Sequence, residues 1–504
     1  MTVYNFNLGI GWASSGVEYA QAYRAKIMRQ IKQPVKFIFT DLILNENIEN
    51  LTSNIGFHDD EIIWLYQFFT DIKISPNKYT LQQFEESIQF EKRQGKIEEV
   101  NSKVIRYHFK AEKQFATVYL AEPNSDLVAR VEYVSRGCLI RKDYFTSTKI
   151  FSEYYAPKDQ SAHLYLRRFF NQNGSIAYEE LIDGNNELYL FPDKILYSKI
   201  DLIGYFIDKL NLSGQDVLIL DRATGIGQAV FQHHKPAKLG VVIHAEHFSE
   251  NATDDTNILW NNFYEYQFDQ ANQVDFFVTA TITQKKILEQ QFKKYCGFAP
   301  KIAAIPVGGL PNLNQAQKRK EFSLITASRL ATEKHIDWLI LAVVQAHQQI
   351  PQLVFDIYGE GSEKKKLQST IQNLHAEKYI KLCGHQDLEN IYQNYQGYIS
   401  SSTSEGFGLT LMEALGSGLA LIGLDVRYGN QEFIQDKKNG YLIPYHQNNE
   451  FSLTINRLSK AINNLFTDFD LAAAHQCSYE LAKKYLFTTV AKKWQVLLEE
   501  LVDD

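Results

Sequence analysis

The first 40 residues cannot make a folded unit by themselves. They read as strand, loop, helix and strand, "TVYNFNL", "GIGWASSG", "VEYAQAYRAKIMRQI" and "VKFIFTD". Two strands do not close a core, and segments of the same texture return only after residue 200. From about Asp216 short apolar runs alternate with amphipathic ones. "DVLILD" (216–221), "KLGVVIHAEHF" (238–248), "VDFFVTAT" (274–281) and "KIAAIPVG" (301–308) are strands, with helices at "TGIGQAVFQHH" (224–234) and "TQKKILEQQFKKY" (283–295). Such alternation predicts parallel β with crossover helices. "GGLPNLNQAQKRK" (308–320) is polar and aperiodic, a linker. The alternation then restarts with "FSLITASRL", "IDWLILAVVQAHQQI", "LVFDIYGEG", "YIKLCGH" and "GYISSSTSEGFG", giving a second doubly wound sheet, and "FTTVAKKWQVLLEELVDD" ends the chain as an amphipathic helix.

The stretch that separates the two parts of the first sheet has another period. From about 100 to 192 apolar and polar residues alternate, as in "VIRYHFKAEKQFATVYLAE", and Asn173-Gly174 and Asp183-Gly184 stand where hairpins turn. An antiparallel meander inserted into the first α/β domain is expected. The fold class is therefore α/β, with two Rossmann-like domains around a cleft and an inserted β-meander. The expected domains are 1–45 with 200–310 (acceptor side), 46–199 (the β-rich insertion), 311–485 (nucleotide-sugar side) and 486–504 (terminal helix). At 504 residues the chain is too long for one core.

Composition excludes some functions. Lys+Arg 52 against Asp+Glu 59 gives a net charge of −7, which disfavours a general affinity for nucleic-acid phosphate. Four cysteines, Cys138, Cys296, Cys383 and Cys477, have neither CxxC nor zinc spacing and read as free thiols in a reducing compartment. No apolar run approaches the roughly 18 residues of a membrane span and no signal peptide is legible, so a cytoplasmic protein is expected.

Open α/β sheets bind ligands beyond the carboxyl ends of their strands, and four stretches fall there. In "GIGWASSGVE", Gly16 opens a helix whose amides suit an anion; an ordinary glycine turn reads as well. In "ASRLATEKHID", Arg329 and Lys334 follow a strand and can bracket a diphosphate; a solvated charge cluster is the plain alternative. His244 ends a strand, with His247 two places on as its rival. In "SSTSEGFGLTLMEALGSG", Gly406 and Gly408 break the chain before a helix, leaving amides near Phe407 to Leu409 for phosphate. Glu405 lies on that loop and Glu413 about one turn into the helix, and a carboxylate suits a vicinal diol such as a ribose. Hydroxyl acceptors, phosphate donors and cations together match a nucleotide sugar. None of these four stretches carries a DxD triplet to hold a metal on a diphosphate, so Arg329, Lys334 and helix dipoles are expected to neutralise it without a metal ion or cofactor.

Glu405 and Glu413 with seven residues between them, in "EGFGLTLMEAL", resemble the E-x7-E signature of retaining GT-B glycosyltransferases of family 4. Arg329 and Lys334 match that family's cationic pair, "GGLPN" its interdomain linker and "GIGWASSGVE" its glycine loop. The resemblance implies an α-linked product and no metal. The inserted meander narrows it to the glycosyltransferases of accessory Sec systems, which begin O-glycosylation of serine-rich-repeat adhesins in Gram-positive bacteria. That resemblance implies UDP-N-acetylglucosamine as donor, Ser/Thr hydroxyls of the adhesin as acceptor, a homologous non-catalytic partner subunit, and a peripheral place on the inner face of the cell membrane. By the same resemblance Gly16, Val17, Glu18 and Tyr19 contact the donor diphosphate or the acceptor. His244 bonds the sugar's 6-hydroxyl. Gly384 and His385 meet uracil through backbone, Glu405 to Gly408 hold the 3- and 4-hydroxyls and the phosphate, and Glu413 holds the ribose. Glu405, His244, Arg329 and Lys334 form the expected catalytic set. Wall teichoic acid α-N-acetylglucosaminyltransferases carry a similar insertion, and a non-catalytic acceptor-binding subunit of the same fold is the alternative of a different class. Aromatics left over on "YFTSTKIFSEYYA" and "AHLYLRRFF", or an open sheet edge, are expected to dock the partner and the acceptor.

Overall fold

A computed structural model describes residues 1–12, 15–109, 113–159, 161–446 and 451–503. The chain divides into two compact units, one of residues 1–25 and 33–240, the other of 26–32 and 241–504.

In the first unit Val3–Asn7, Val35–Phe39 and Ile62–Trp64 run parallel, and Val217–Leu220 pairs with the far side of Val3–Asn7. The return of the chain after residue 200 to complete the sheet of the first 40 residues is thus realised. The parallel sheet also runs on past residue 45, where the insertion was expected to begin: Ile62–Trp64, three residues within "DDEIIWLY", adds a strand. A run so short carries no period, and only the neighbouring strand defines it. Behind the sheet Arg24 forks onto Asp221, both bonds 2.8 Å and both side chains buried, with Gln21 2.7 Å from the same carboxylate.

The insertion is a ten-stranded antiparallel sheet from Lys96 to Leu196. Gly174 at φ 82° and Gly184 at φ 61° make the turns read from the sequence. Two rows cross this sheet on one face. In the first, directly opposed residues run Glu98, Arg106, Thr117, Glu132, Lys142, Glu153, Arg167, Glu180. Lys142 lies 3.3 Å from Glu132, and Arg167 lies 3.0 Å from both Glu153 and Glu180. Two positions along, Tyr144, Phe151, Phe169 and Tyr178 stack at centroid distances of 4.3, 5.4 and 4.3 Å. Trp64, the last residue of the last parallel strand, and Tyr66 just past it pack on Phe151 and Phe169, and the Tyr178 hydroxyl donates to the Tyr66 carbonyl at 2.7 Å. Most aromatics expected as a surface are therefore core: Tyr144, Phe145, Phe151, Phe169 and Phe170 are buried, and Tyr165 is exposed. The open edge is the strand Lys96–Asn101, exposed along its length.

In the second unit Phe276–Thr279 and Ile302–Ala304 run parallel, followed by a six-stranded parallel sheet. Its spatial order is Ile380–Gly384, Val354–Tyr358, Ser323–Ala327, Gly397–Ser400, Ala420–Leu424, Gly440–Ile443. Helices Ile336–His347 and Phe451–Thr467 cover it, burying Leu339, Val343, Leu458 and Ile462 against Leu324, Phe355 and Ile422. The strand order reverses between Ser323–Ala327 and Gly397–Ser400, so the loops after these two strands diverge and open a crevice. The terminal helix spans Phe487–Asp503. Among the described residues no helix is long and apolar enough to cross a membrane, and all four cysteines are unpaired.

Candidate active site

The two loops that leave the switch point carry Lys334 and Glu405. After Ser323–Ala327 the chain runs through a single 3-10 turn, Thr332–Lys334, and His335 takes a left-handed conformation (φ 47°) before the helix Ile336–His347 begins. That reversal points Lys334 back over the strand ends. Its ammonium donates to Glu405 Oε2 at 2.8 Å, the two side chains being 19% and 20% exposed. Ser401, in the loop after Gly397–Ser400, shares its hydroxyl proton between the carbonyls of Lys334 and His335, 2.8 Å from each. Tyr398 closes the floor, its hydroxyl 3.2 Å from the Ala327 carbonyl and 2.9 Å from Thr410 Oγ1, and burial pushes its phenol up to about 12. Ser328, Lys334, Tyr398, Ser401, Glu405 and Thr410 line a cavity of about 20 Å³, room for a water molecule.

Glycines bring the rest of the loop to this place. A Cβ on Gly406 would stand 2.4 Å from the His244 carbonyl oxygen, so the loop passes directly against the peptide of His244. Gly408, at φ 87°, caps the helix Leu409–Gly416. The Phe407 ring turns inward onto Phe433 and Tyr485 and is buried; only its backbone remains for a ligand. Leu409 opens the helix, and Glu413, one turn on, accepts from the Tyr392 hydroxyl at 3.3 Å. The amides of His244 and Ala245 both donate to the Tyr264 hydroxyl oxygen, at 2.9 and 3.0 Å. The rival His247 is a core residue: wholly buried, with Nε2 2.7 Å from Gln291 Oε1, and held near pKa 4, hence neutral, by burial.

Arg329 is not drawn into this group. Its side chain is 62% exposed and pairs with Glu333, four residues on, at 3.2 Å. Gly384 ends the strand at the sheet's edge, taking the Gly359 amide on its carbonyl at 2.8 Å, and His385 beyond it is exposed. In the first unit Gly16, Val17, Glu18 and Tyr19 open the helix Gly16–Gln30, while Ala13 and Ser14 of the same glycine loop lie outside the described residues. The buried Glu18 carboxylate serves the protein: it accepts from the Ser15 amide at 2.6 Å and from Asn7 at 3.1 Å, with Arg222 3.5 Å away. Ser15 in turn takes the amides of Val17 and Tyr19.

Sequence reasoning passed over Ser401, Tyr398 and Thr410, although a serine run directly after a strand, "ISSSTSEGFG", was the available signal. It also passed over Tyr428, whose amide donates to the Glu405 carbonyl at 2.7 Å and which lies outside every motif in the sequence.

The geometry stands beside close relatives. Residues 96–193 match the family model described as the GtfA extended beta-sheet domain, and 313–465 that of glycosyl transferases group 1. The chain is 56% identical over 506 residues to the UDP-N-acetylglucosamine–peptide N-acetylglucosaminyltransferase GtfA subunit of Streptococcus gordonii, covering 100% of this chain and 99% of that protein. It superimposes on the pneumococcal O-GlcNAc transferase GtfA, solved in complex with UDP and GlcNAc, with a TM-score of 0.95 at 51% identity, covering 100% and 99% of the two chains. A solved GtfA/B complex gives 0.94 at 56% identity over 100% of both chains. The fold is GT-B, with parallel α/β sheets and an antiparallel sheet in the N-terminal half. The chain belongs to the GtfA-subunit family of UDP-N-acetylglucosamine–peptide N-acetylglucosaminyltransferases.

Proposed function

We propose that this chain transfers N-acetylglucosamine from UDP-N-acetylglucosamine, with retention, to Ser/Thr hydroxyls of a serine-rich-repeat adhesin, beginning its O-glycosylation. The observation that carries the reading is the ion pair of Lys334 and Glu405 at the switch point of the second sheet, a cation and a hydroxyl acceptor where a nucleotide sugar would lie. Lys334, with Arg329 swinging in from solvent, neutralises the diphosphate, and no metal takes part. Glu405 and the backbone of Gly406, Phe407 and Gly408 hold the sugar's 3- and 4-hydroxyls and the phosphate. His244, whose peptide abuts Gly406, takes the 6-hydroxyl. Glu413 holds the ribose. Gly384 and His385 meet uracil through their backbone, and the helix start at Gly16 contacts the diphosphate or the acceptor. Glu405 stabilises the reacting sugar and does not form a covalent ester.

The polypeptide acceptor fits an acidic chain better than a polyphosphate does, since a net charge of −7 repels wall teichoic acid. The partner is a homologous, non-catalytic subunit; that a relative has been solved as a GtfA/B complex supports a partner subunit, and the exposed strand Lys96–Asn101 offers an edge for partner or acceptor to pair with. Free thiols support a cytoplasmic enzyme, which we place at the inner face of the membrane in an accessory Sec system. The test is UDP release from UDP-N-acetylglucosamine and UDP-glucose, with and without a Ser/Thr-rich peptide and the partner. Release from the N-acetylated donor that rises with peptide and yields glycopeptide is expected. Equal use of both donors, or transfer only to a teichoic acid, would overturn the reading.

A further inference from the structure

Tyr428 touches two of the elements assigned to the donor sugar. Its backbone bridges Glu405: the Glu405 amide donates to the Arg427 carbonyl at 3.3 Å, and the amides of Tyr428 and Gly429 both donate to the Glu405 carbonyl, at 2.7 and 2.8 Å. Its side chain reaches the segment that follows His244. The phenol oxygen lies 2.6 Å from Glu246 Oε1 and 3.1 Å from His247 Nδ1, and the imidazole lies nearly parallel to the phenol ring, 20° apart. The Tyr428 side chain is wholly buried, while Glu246 is half-buried. Beside this contact Arg427 donates to Glu250. A buried phenol is an apolar plate with one polar tip, and here the tip is spent on the loop of His244 while the main chain grips the loop of Glu405.

Little slack separates the two loops. Gly406 runs against the His244 carbonyl, and a Cβ on Gly429 would stand 2.0 Å from the Phe407 carbonyl oxygen. The phenol hydroxyl is then the part that sets how far the His244 loop stands from Glu405. We propose that Tyr428, through Glu246 and His247, is a positioning residue that fixes His244 against Glu405 and Gly406 for recognition of the donor's sugar. The inference rests on the donor reading above. Tyr428 does not touch the substrate, and a phenylalanine in its place fills the same volume but loses the anchor. A misplacement of about 1 Å at a reacting centre can cost on the order of a hundredfold in rate; a loop held by its remaining contacts should lose less.

The test uses the full chain and measures kcat and KM for UDP-N-acetylglucosamine and UDP-glucose, Ki for UDP, and the melting temperature. Tyr428→Phe should lower kcat/KM for UDP-N-acetylglucosamine about tenfold, lower that for UDP-glucose by a similar factor because the 3-, 4- and 6-hydroxyls are common to both sugars, and leave Ki for UDP within about twofold. Glu246→Gln, which keeps an acceptor oxygen for the phenol, should retain activity to within about threefold, whereas Glu246→Leu should match Tyr428→Phe. His244→Ala and Glu405→Gln are run alongside. If both of these are impaired and Tyr428→Phe is not, the strut is refuted while the donor reading stands. If KM and Ki for UDP rise together in Tyr428→Phe, the whole site has loosened and sugar positioning is refuted. If His244→Ala and Glu405→Gln leave kinetics unchanged, the donor reading falls and takes the strut with it. Should Tyr428→Phe fail to fold, Glu246→Leu carries the same expectations.

Discussion

Lys334→Met removes one charge and nearly keeps the side chain's length. In the structure Lys334 Nζ sits 2.8 Å from Glu405 Oε2 at about one-fifth exposure on both sides, more sheltered than the surface pairs that contribute little. A hydrogen bond to a charged group is worth roughly 1.5–3 kcal/mol. One such bond to the departing diphosphate strengthens as charge builds there, so its loss falls on the transition state. At 1.36 kcal/mol per factor of ten this is roughly a 10- to 160-fold drop in kcat/KM. The variant also leaves the Glu405 carboxylate uncompensated beside a diphosphate, which pushes the expected loss toward the upper end. The assay is the initial rate of UDP release over a range of donor concentrations, with the melting temperature as the check on folding. A plain alternative has Lys334 doing no more than neutralising Glu405, and the double variant Lys334→Met, Glu405→Gln separates the two. A lysine that acts on the diphosphate leaves the double variant slower than Glu405→Gln alone. A double variant no slower than Glu405→Gln alone would refute the reasoning, as would a loss under about threefold in Lys334→Met itself.

The two glutamates should separate by kinetic parameter: Glu413→Ala raises KM more than it lowers kcat, because a ribose contact is made equally in ground and transition states, while Glu405→Gln lowers kcat; initial-rate kinetics showing the reverse pattern would sink this assignment. Turnover should persist in EDTA, and loss of activity restored by Mn²⁺ would show that a metal takes part. His247 and His475 are both held near pKa 4 by burial, with Arg319 adding to the effect on His475. Their folded pKa values lie below the unfolded value, so they contribute stability above about pH 6.5 that is lost as pH falls toward 4, roughly 3 kcal/mol each at full protonation; denaturation measured from pH 7 to 4.5 should show the loss, and His247→Gln should flatten it. Arg167→Met strands Glu153 and Glu180, 2% and 1% exposed, and should cost roughly 3–5 kcal/mol. Burial already raises the Glu180 carboxyl, so protonation relieves that variant and its deficit in melting temperature should shrink from pH 8 to pH 5.

Much of the candidate site could be proposed from the sequence because its parts are local. The glycines of "EGFGLT" break the strand-to-helix connection wherever they occur, and Glu405 and Glu413 follow by count. What was not legible depends on single backbone states and on distant partners. Arg329 and Lys334, five residues apart, read as two jaws of one clamp. The left-handed His335 turns Lys334 onto Glu405, and Arg329 is left facing Glu333. Glu18 read as a ligand contact without sign of its internal partners: its carboxylate accepts from Ser15 and Asn7, because a buried carboxylate near a helix start finds the nearest amides first. Tyr428 had no local signal: it matters through Glu246 and His247, which come to it only in the fold.

The inserted sheet shows where a periodic pattern stops being sufficient. Alternation of apolar and polar residues sets which face of a strand is buried, and a slip of one residue is forbidden because it turns that face outward. A slip of two residues keeps every side chain on its face, so alternation alone leaves the register open. The row from Glu98 to Glu180 closes it. Slipping the strand of Arg167 by two against its neighbour would set the guanidinium opposite Phe151 or Tyr155 instead of Glu153, and would strand buried carboxylates on both sides. The stacked row of Tyr144, Phe151, Phe169 and Tyr178 would be broken by the same shift. Because Trp64 and Tyr66 pack on that aromatic row, the register of the insertion also fixes where it joins the parallel sheet. Pairing residues from different strands is the step that turns a readable meander into one defined surface.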